Sequence, residues 1–118
     1  AAMLPRLNIR DDAMRAAAAR GFLNATDMAD YLVMQGVPFR KAHECVGKAV
    51  GYSLEKGREL HELTLKELRA FSSLVKEDIF EFLSTEQVIN RRQSFGGTAQ
   101  VNVTAAIAAA EQELQAED

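Results

Sequence analysis

The chain has 118 residues, with 14 basic and 17 acidic side chains and a formal net charge of −3. This length suits one domain, and the acidic balance argues against a nucleic-acid partner, whose affinity comes mostly from neutralised phosphates. The single cysteine cannot form an intrachain disulfide, so nothing in the composition implies secretion.

The N-terminal stretch "AAMLPRLNIRDD" has no basic region followed by an apolar block, which a signal peptide requires. The alanine-rich runs at 16–19 and 105–110 are far shorter than the roughly 20 apolar residues that span a bilayer. We therefore expect a cytoplasmic protein with no membrane partner.

The first predicted helix is "AMRAAAAR". Asp11 or Asp12 can cap its start, and Gly21 is placed to end it.

The second predicted helix is "ATDMADYLVMQG", with Thr26 near its start and Gly36 at its end. Helical spacing puts Asp27 and Asp30 on the side opposite its apolar face. That face consists of Met28, Tyr31, Leu32 and Gln35.

A third helix is predicted from Phe39 to Lys56. Pro38 can occupy its first turn, and Gly57 can stop it. Its predicted packing stripe is Phe39, Ala42, Val46, Ala49, Val50 and Leu54.

Two capping boxes are predicted in the second half of the chain. Thr64 and Glu67 have the required spacing before "LKELRAF", and Ser84 and Gln87 repeat it in "STEQVINRR". A short helix, "KEDIFEFL", lies between them at 76–83.

The last predicted helix is "AQVNVTAAIAAAEQELQ", with Val103, Ile107, Ala110 and Leu114 at 4-3-4 spacing. Taken together, these patterns predict an all-α protein, a compact small helical domain of five to seven helices that spans residues 1–118.

The segment "AHEC" places His43 two residues from Cys45. Residues i and i+2 of a helix point about 160° apart, so the two side chains cannot form the hydrogen bond that makes a thiolate nucleophile. We therefore predict a half-buried cysteine and a histidine at the boundary of the stripe.

Metal and acid–base sites are also disfavoured. One cysteine and two histidines are too few soft ligands for a closed zinc site. His61, in "RELHELT", is predicted to be a solvated or capping residue.

The one glycine-rich loop is "SFGGTA" at 94–99. Gly96 and Gly97 before a helix could cradle a phosphate or carboxylate on free N–H groups. A turn that aims the last helix is the favoured interpretation.

Residues 26–50 have the outline of a DNA-binding helix-turn-helix, whose second helix would present Arg40, Lys41 and Lys48. Glu44 lies among these bases and the chain is acidic, so two simply packed helices are favoured.

Specific segments of the chain carry a resemblance. "RAAAARGFLNATDMADYLVMQGVPFRKAHECVGKAV", "LTLKELRAFSSL", "EDIFEFL" and "RRQSFGGTAQ" resemble the C-terminal domain of argininosuccinate lyase, in family order and over essentially the whole chain. That family belongs to the fumarase/aspartase superfamily, to which the δ-crystallins are close. Ser73 departs from the pattern, since relatives usually have proline there, and it could loosen the link between two short helices.

The resemblance implies a lyase of arginine biosynthesis that splits argininosuccinate into arginine and fumarate. It also implies a homotetramer around long central helices, with active sites that combine stretches from three subunits. These long helices are absent from the 118 residues, so the chain resembles the last domain, following a cut just after the central bundle.

The family's catalytic serine loop and its Thr-x-x-His motif are also absent from these 118 residues. No catalytic, cofactor-binding or metal-binding residue is therefore carried over, and no cofactor is expected. We expect an architectural segment, inactive alone, whose partners are the upstream domains and the other subunits.

Two alternatives remain: a crystallin-like structural or interaction module of the same fold, and a helix-turn-helix DNA-binding protein. We also expect self-association through the apolar stripes of the second or last helix.

Overall fold

The computed structural model describes residues 3–116. Within that range all regular structure is helical, with seven α-helices and two short 3-10 segments at Leu4–Arg6 and Leu60–Glu62. The predicted all-α class is confirmed. The α-helices are α1 (Asp11–Ala18), α2 (Ala25–Met34), α3 (Phe39–Lys56), α4 (Leu65–Phe71), α5 (Ile79–Phe82), α6 (Thr85–Asn90) and α7 (Gln100–Ala116).

The hydrophobic core lies between α2, α3, α4 and α5. Helix α2 packs along α3, and the 3-10 segment Leu60–Glu62 and α4 also contact α3. The core members are apolar residues from all these elements: Met28, Ala29, Tyr31, Leu32, Val37, Ala42, Val46, Ala49, Leu60, Leu63, Leu68, Val75, Ile79 and Leu83.

Tyr31 anchors α2 inside this core. Its hydroxyl donates to Asp78 at 2.5 Å and accepts from the Lys76 backbone N–H at 3.2 Å. Burial, assisted by the hydrogen bond to Asp78, raises the pKa of Tyr31.

The link between α4 and α5 is held by a hydrogen bond, because Arg69 Nε donates to the Val75 carbonyl at 2.9 Å. Ser73 therefore lies in a closed turn.

Helix α3 has the predicted bounds, Phe39–Lys56. Gly57 ends it at φ 63°, a left-handed conformation that costs glycine little. Its buried stripe is Ala42, Val46, Ala49 and Ser53. Phe39 and Leu54 are exposed, so their predicted place in the stripe is wrong. Phe39 lies in the first turn, before the buried stripe begins, and Leu54 is rotated by about 100° from the buried Ser53.

The start of α1 differs from the prediction. Arg10 occupies the capping position, while Asp11 and Asp12 lie in the first turn, where acidic side chains still favour the helix dipole. Gly21 follows the helix end at Ala18 by three residues. The Glu59 carboxylate accepts hydrogen bonds from the N–H groups of Gly21 and Phe22, at 3.1 and 3.3 Å.

The capping box at Thr64 is confirmed, while at Ser84 one of the two bonds of the predicted box is present. Thr64 Oγ1 accepts from the Glu67 N–H, while the Glu67 carboxylate accepts from the Thr64 N–H at 2.8 Å. Ser84 Oγ accepts from the Gln87 N–H at 3.4 Å at the start of α6.

The periphery is much less packed than the core. Neither α1 nor α7 contains a buried residue. The described chain measures 60 × 29 × 22 Å with a radius of gyration of 18.5 Å. A compact domain of this length would have a radius of about 13 Å, so the predicted compactness applies to the core and not to the terminal helices.

Candidate functional site

His43 and Cys45 are not brought together. His43 is exposed on α3, and its Nδ1 lies 3.1 Å from the carbonyl of Phe39, one turn earlier. Cys45 is half-buried and packs against the core. The structure therefore agrees with the geometric argument against a thiol nucleophile.

A cleft of about 420 Å³ is the main concave feature near His61. Segments from α1, α5 and α6 form its walls, which are mostly apolar. Among its lining residues only His61 and Arg92 are titratable, so the cleft has no carboxylate to pair with the histidine. The lining residues are Ala18, Ala19, Leu23, Asn24, His61, Phe80, Leu83, Ser84, Thr85, Val88, Ile89 and Arg92.

A charged cluster that the sequence analysis missed lies beside this cleft. Asp27 is buried on α2, and Arg91 donates to its Oδ1 at 3.3 Å. Arg92 lies 3.6 Å from Oδ2. The guanidinium of Arg91 also stacks 3.5 Å above the Phe82 ring, a favourable cation–π geometry. Asp27 was predicted to lie on the exposed side of α2, and that prediction is wrong.

Asp27 is buried because the two arginines that follow α6 turn back over α2. An isolated carboxylate rarely stays buried, but one paired with guanidinium groups does. The sequence signal was the adjacent pair Arg91–Arg92, although nothing local identifies a partner 64 residues away.

A second polar cluster surrounds Glu67 at the start of α4. Its carboxylate accepts from Arg58, from Thr64 Oγ1 at 2.9 Å and from Tyr52 Oη at 2.9 Å. The Arg58 hydrogen bond, followed by those of Thr64, lowers the pKa of Glu67 to about 2. The Thr64 bonds cap α4, and those from Tyr52 and Arg58 tie it to the end of α3 and the residues just after it, so the cluster stabilises the fold.

The glycine loop acts as a turn. Gly96 has a φ of 75°, and a Cβ on Gly97 would lie 2.1 Å from the Arg92 carbonyl oxygen. Two of its N–H groups have backbone partners: Gly97 donates to the Ser94 carbonyl at 2.8 Å and Ala99 donates to the Arg92 carbonyl at 3.1 Å. These bonds agree with the interpretation as a turn before α7.

The helix-turn-helix outline of α2 and α3 is present, but its basic face is partly neutralised. Lys48 donates to Glu44 at 2.8 Å, which lowers the pKa of Glu44. Arg40 and Lys41 are exposed. The absence of a nucleic-acid partner stays a prediction.

Two further searches cover residues 3–116 only. No group of three or more His, Cys, Asp or Glu side chains in that range is arranged to hold a metal ion. In the same range no helix combines the length and apolarity needed to cross a membrane.

Comparison with protein families gives the deciding observation. A family model described as "Argininosuccinate lyase C-terminal" matches residues 22–90, which is more than half of the chain. The chain belongs to this family.

Curated relatives named argininosuccinate lyase agree with that assignment. One from Desulfatibacillum aliphaticivorans is 56% identical over 117 residues, which cover 99% of this chain and 25% of the relative. One from Thioalkalivibrio sulfidiphilus is 50% identical over 112 residues, covering 95% and 24%. One from Azotobacter vinelandii is 52% identical over 106 residues, covering 90% and 23%. The chain thus spans about a quarter of the length of these relatives, and it corresponds to a C-terminal segment of the family.

Proposed function

We propose that this chain is the C-terminal helical domain, over residues 1–118, of an enzyme that cleaves argininosuccinate to arginine and fumarate. The identity of 56% to a curated argininosuccinate lyase, spread over 99% of the chain, supports this proposal most directly. The family match over residues 22–90 includes the whole packed core.

The role proposed for this segment is architectural. An elimination of this kind needs a base aligned with the proton beside a carboxylate and donors for the developing negative charge. The cleft beside α6 offers His61 and Arg92 without a paired carboxylate. We therefore assign no catalytic, cofactor-binding or metal-binding residue to this chain.

The proposed partners follow from the same assignment. They are the upstream domains of the same enzyme and the other subunits of a homotetramer, with argininosuccinate as the substrate of the complete enzyme. The proposed location is the cytoplasm, with neither nucleic acid nor membrane as a partner. The exposed apolar side chains of α7, including Val101, Ile107 and Leu114, are consistent with protein contacts outside this chain.

A chimeric enzyme tests the proposal. The C-terminal quarter of the Desulfatibacillum aliphaticivorans relative is replaced by this chain, and fumarate release from argininosuccinate is measured. We expect a tetrameric, active chimera, because the two segments are 56% identical over almost their full length. The matched control is the relative without its C-terminal quarter, which we expect to lose activity.

The isolated chain supplies the second arm of the test. We expect no fumarate release from the purified 118-residue chain, because it contributes no catalytic group. Turnover by the isolated chain would contradict the architectural role. A chimera that assembles correctly but stays inactive would contradict the assignment to this enzyme.

A further inference from the structure

The cleft that contains His61 has the form of a small-molecule site. It is lined by the end of α1, the turn before α2, the 3-10 segment Leu60–Glu62, α5 and α6. Its volume of about 420 Å³ lies within the roughly 300–1,000 Å³ of ordinary ligand pockets. A partner helix needs a long open face, whereas a recess lined by five separate segments suits a compact molecule.

The walls of this cleft are apolar and continue into the hydrophobic core. Leu83 lines the cleft, is 4% exposed and belongs to the core. The lining residues Leu23, Phe80 and Ile89 are 65%, 38% and 39% exposed. An apolar ligand body placed in the cleft removes part of these side chains from water, and this burial is favourable.

The titratable residues that line the cleft are all basic. They are His61 and Arg92, and no carboxylate occurs among the lining residues that the structure describes. Arg91 and Arg92 lie 3.3 and 3.6 Å from the oxygens of Asp27, so two guanidinium groups share one carboxylate. The separation of 3.6 Å is too long for a hydrogen bond. Arg92 therefore keeps donors for a second anion.

A neutral polar side chain also lines the cleft. Asn24 occupies the capping position of α2, yet within the described residues its side chain forms no capping hydrogen bond with that helix. A side-chain amide both donates and accepts hydrogen bonds. Apolar walls with a few polar groups that orient the ligand are typical of small-molecule sites.

We propose that this cleft binds a small monocarboxylate with an apolar body, whose carboxylate pairs with Arg92 and whose body packs on Phe80 and Ile89. A dicarboxylate fits less well, because its second charge would lie against apolar walls. The proposed site does not depend on lyase activity, so its test is separate from the measurement of fumarate release.

Titration of the 118-residue chain with octanoate tests the proposal, and octanamide is the uncharged probe of the same length. Octanoate should bind with a dissociation constant on the order of 0.1–1 mM. Octanamide should bind about tenfold more weakly, because only the carboxylate forms an ion pair with Arg92. Backbone amide shifts measured by NMR should change mainly at the cleft. Equal affinities for the two probes, no saturable binding of octanoate, or shifts mainly on α7 would overturn the proposal.

Two variants that convert an amide to a carboxylate locate the site. Asn24→Asp places a negative charge among the lining residues, and α2 is retained because Asp is a favourable capping residue. Gln87→Glu makes the same change of charge on α6 but outside the cleft. Asn24→Asp should weaken octanoate binding by about tenfold, and Gln87→Glu should leave it unchanged. Equal weakening by both variants would show an effect of net charge alone and overturn the site.

Removal of the guanidinium is an independent test. Arg92→Gln should lower the affinity for octanoate to that for octanamide, while Asp27 keeps its hydrogen bond from Arg91. Circular dichroism verifies that the variant folds, and an unchanged affinity for octanoate would overturn the role of Arg92. The chimeric enzyme described above should bind octanoate with an affinity similar to that of the isolated chain. An assembled chimera that does not bind octanoate would overturn the site in the complete enzyme.

Discussion

Helices α3 and α7 have almost the same length, 18 and 17 residues, yet they have opposite environments. Helix α3 buries Ala42, Val46, Ala49 and Ser53 and contacts α2, α4 and the 3-10 segment Leu60–Glu62. Helix α7 buries nothing and is attached at its first turn, where the Gln100 N–H donates to Asn90 Oδ1 at 3.3 Å. A helical stripe thus predicts which face is apolar, while burial depends on whether the same chain supplies a partner.

The largest expected difference is in the free energy of unfolding, when a leucine is replaced by alanine once in the core and once on α7. Leu32→Ala in the core should lower the free energy of unfolding by about 2–5 kcal/mol, because the side chain is 0% exposed and leaves a cavity. Leu114→Ala on α7 should change it by less than about 0.5 kcal/mol in the monomer. Urea unfolding at low protein concentration measures both.

A large decrease in the free energy of unfolding of Leu114→Ala at low protein concentration would contradict this difference between the core and α7. It would mean that α7 folds back onto the core in solution, where Leu114 could be covered.

The next largest effect concerns the attachment of α6 to α2. Asp27→Ala should destabilise the fold by about 1–3 kcal/mol, since it removes the buried partner of Arg91 and Arg92. Asp30→Ala, on the exposed side of the same helix, is the control and should cost less than about 0.5 kcal/mol. Thermal unfolding of both variants in the same buffer measures the difference, and equal midpoints would contradict the structural role of Asp27.

Local signals were sufficient wherever neighbouring residues decide the structure. Pro38 and Gly57 correctly predicted both ends of α3, and the spacing of Thr64 and Glu67 correctly predicted the capping box of α4. The burial of Asp27 was missed because its partners are 64 residues away, and charge alone predicts exposure. Phe39 fits the stripe by spacing but lies beyond the end of the core.

For the candidate site, sequence reasoning mainly excluded kinds of site, such as a thiol nucleophile. Helical geometry separates His43 from Cys45 without any structure, since it follows from the rotation per residue. The cleft that contains His61 and Arg92 could not be predicted, because its walls come from helices that contact one another only in the folded chain.

A smaller effect is expected at the end of α3, where Gly57 terminates the helix. Gly57→Ala should destabilise by about 1–2 kcal/mol, because its φ of 63° disfavours a Cβ. Gly51→Ala, inside the same helix with no atom near the added Cβ, should stabilise by about 0.5–1 kcal/mol. Chemical unfolding should therefore move the two midpoints in opposite directions, and a shift of both in the same direction would contradict this account.

The smallest and most specific effect is the acid sensitivity of the Glu67 cluster. The pKa of Glu67 is about 2 in the folded chain, below its ordinary 4.5, chiefly because Arg58 donates to its carboxylate. A depressed folded pKa contributes stability that is complete above about pH 4.5 and is lost as pH falls toward about 2. Glu67→Gln should therefore be less stable than the unmodified chain at neutral pH, and the difference in stability should shrink between about pH 4.5 and about pH 2.

Glu44→Gln, which removes an exposed ion pair with Lys48, is the control and should show a weaker dependence of stability on pH. A stability difference for Glu67→Gln that stays constant from neutral pH to about 2 would mean that the Arg58 contact is absent in solution.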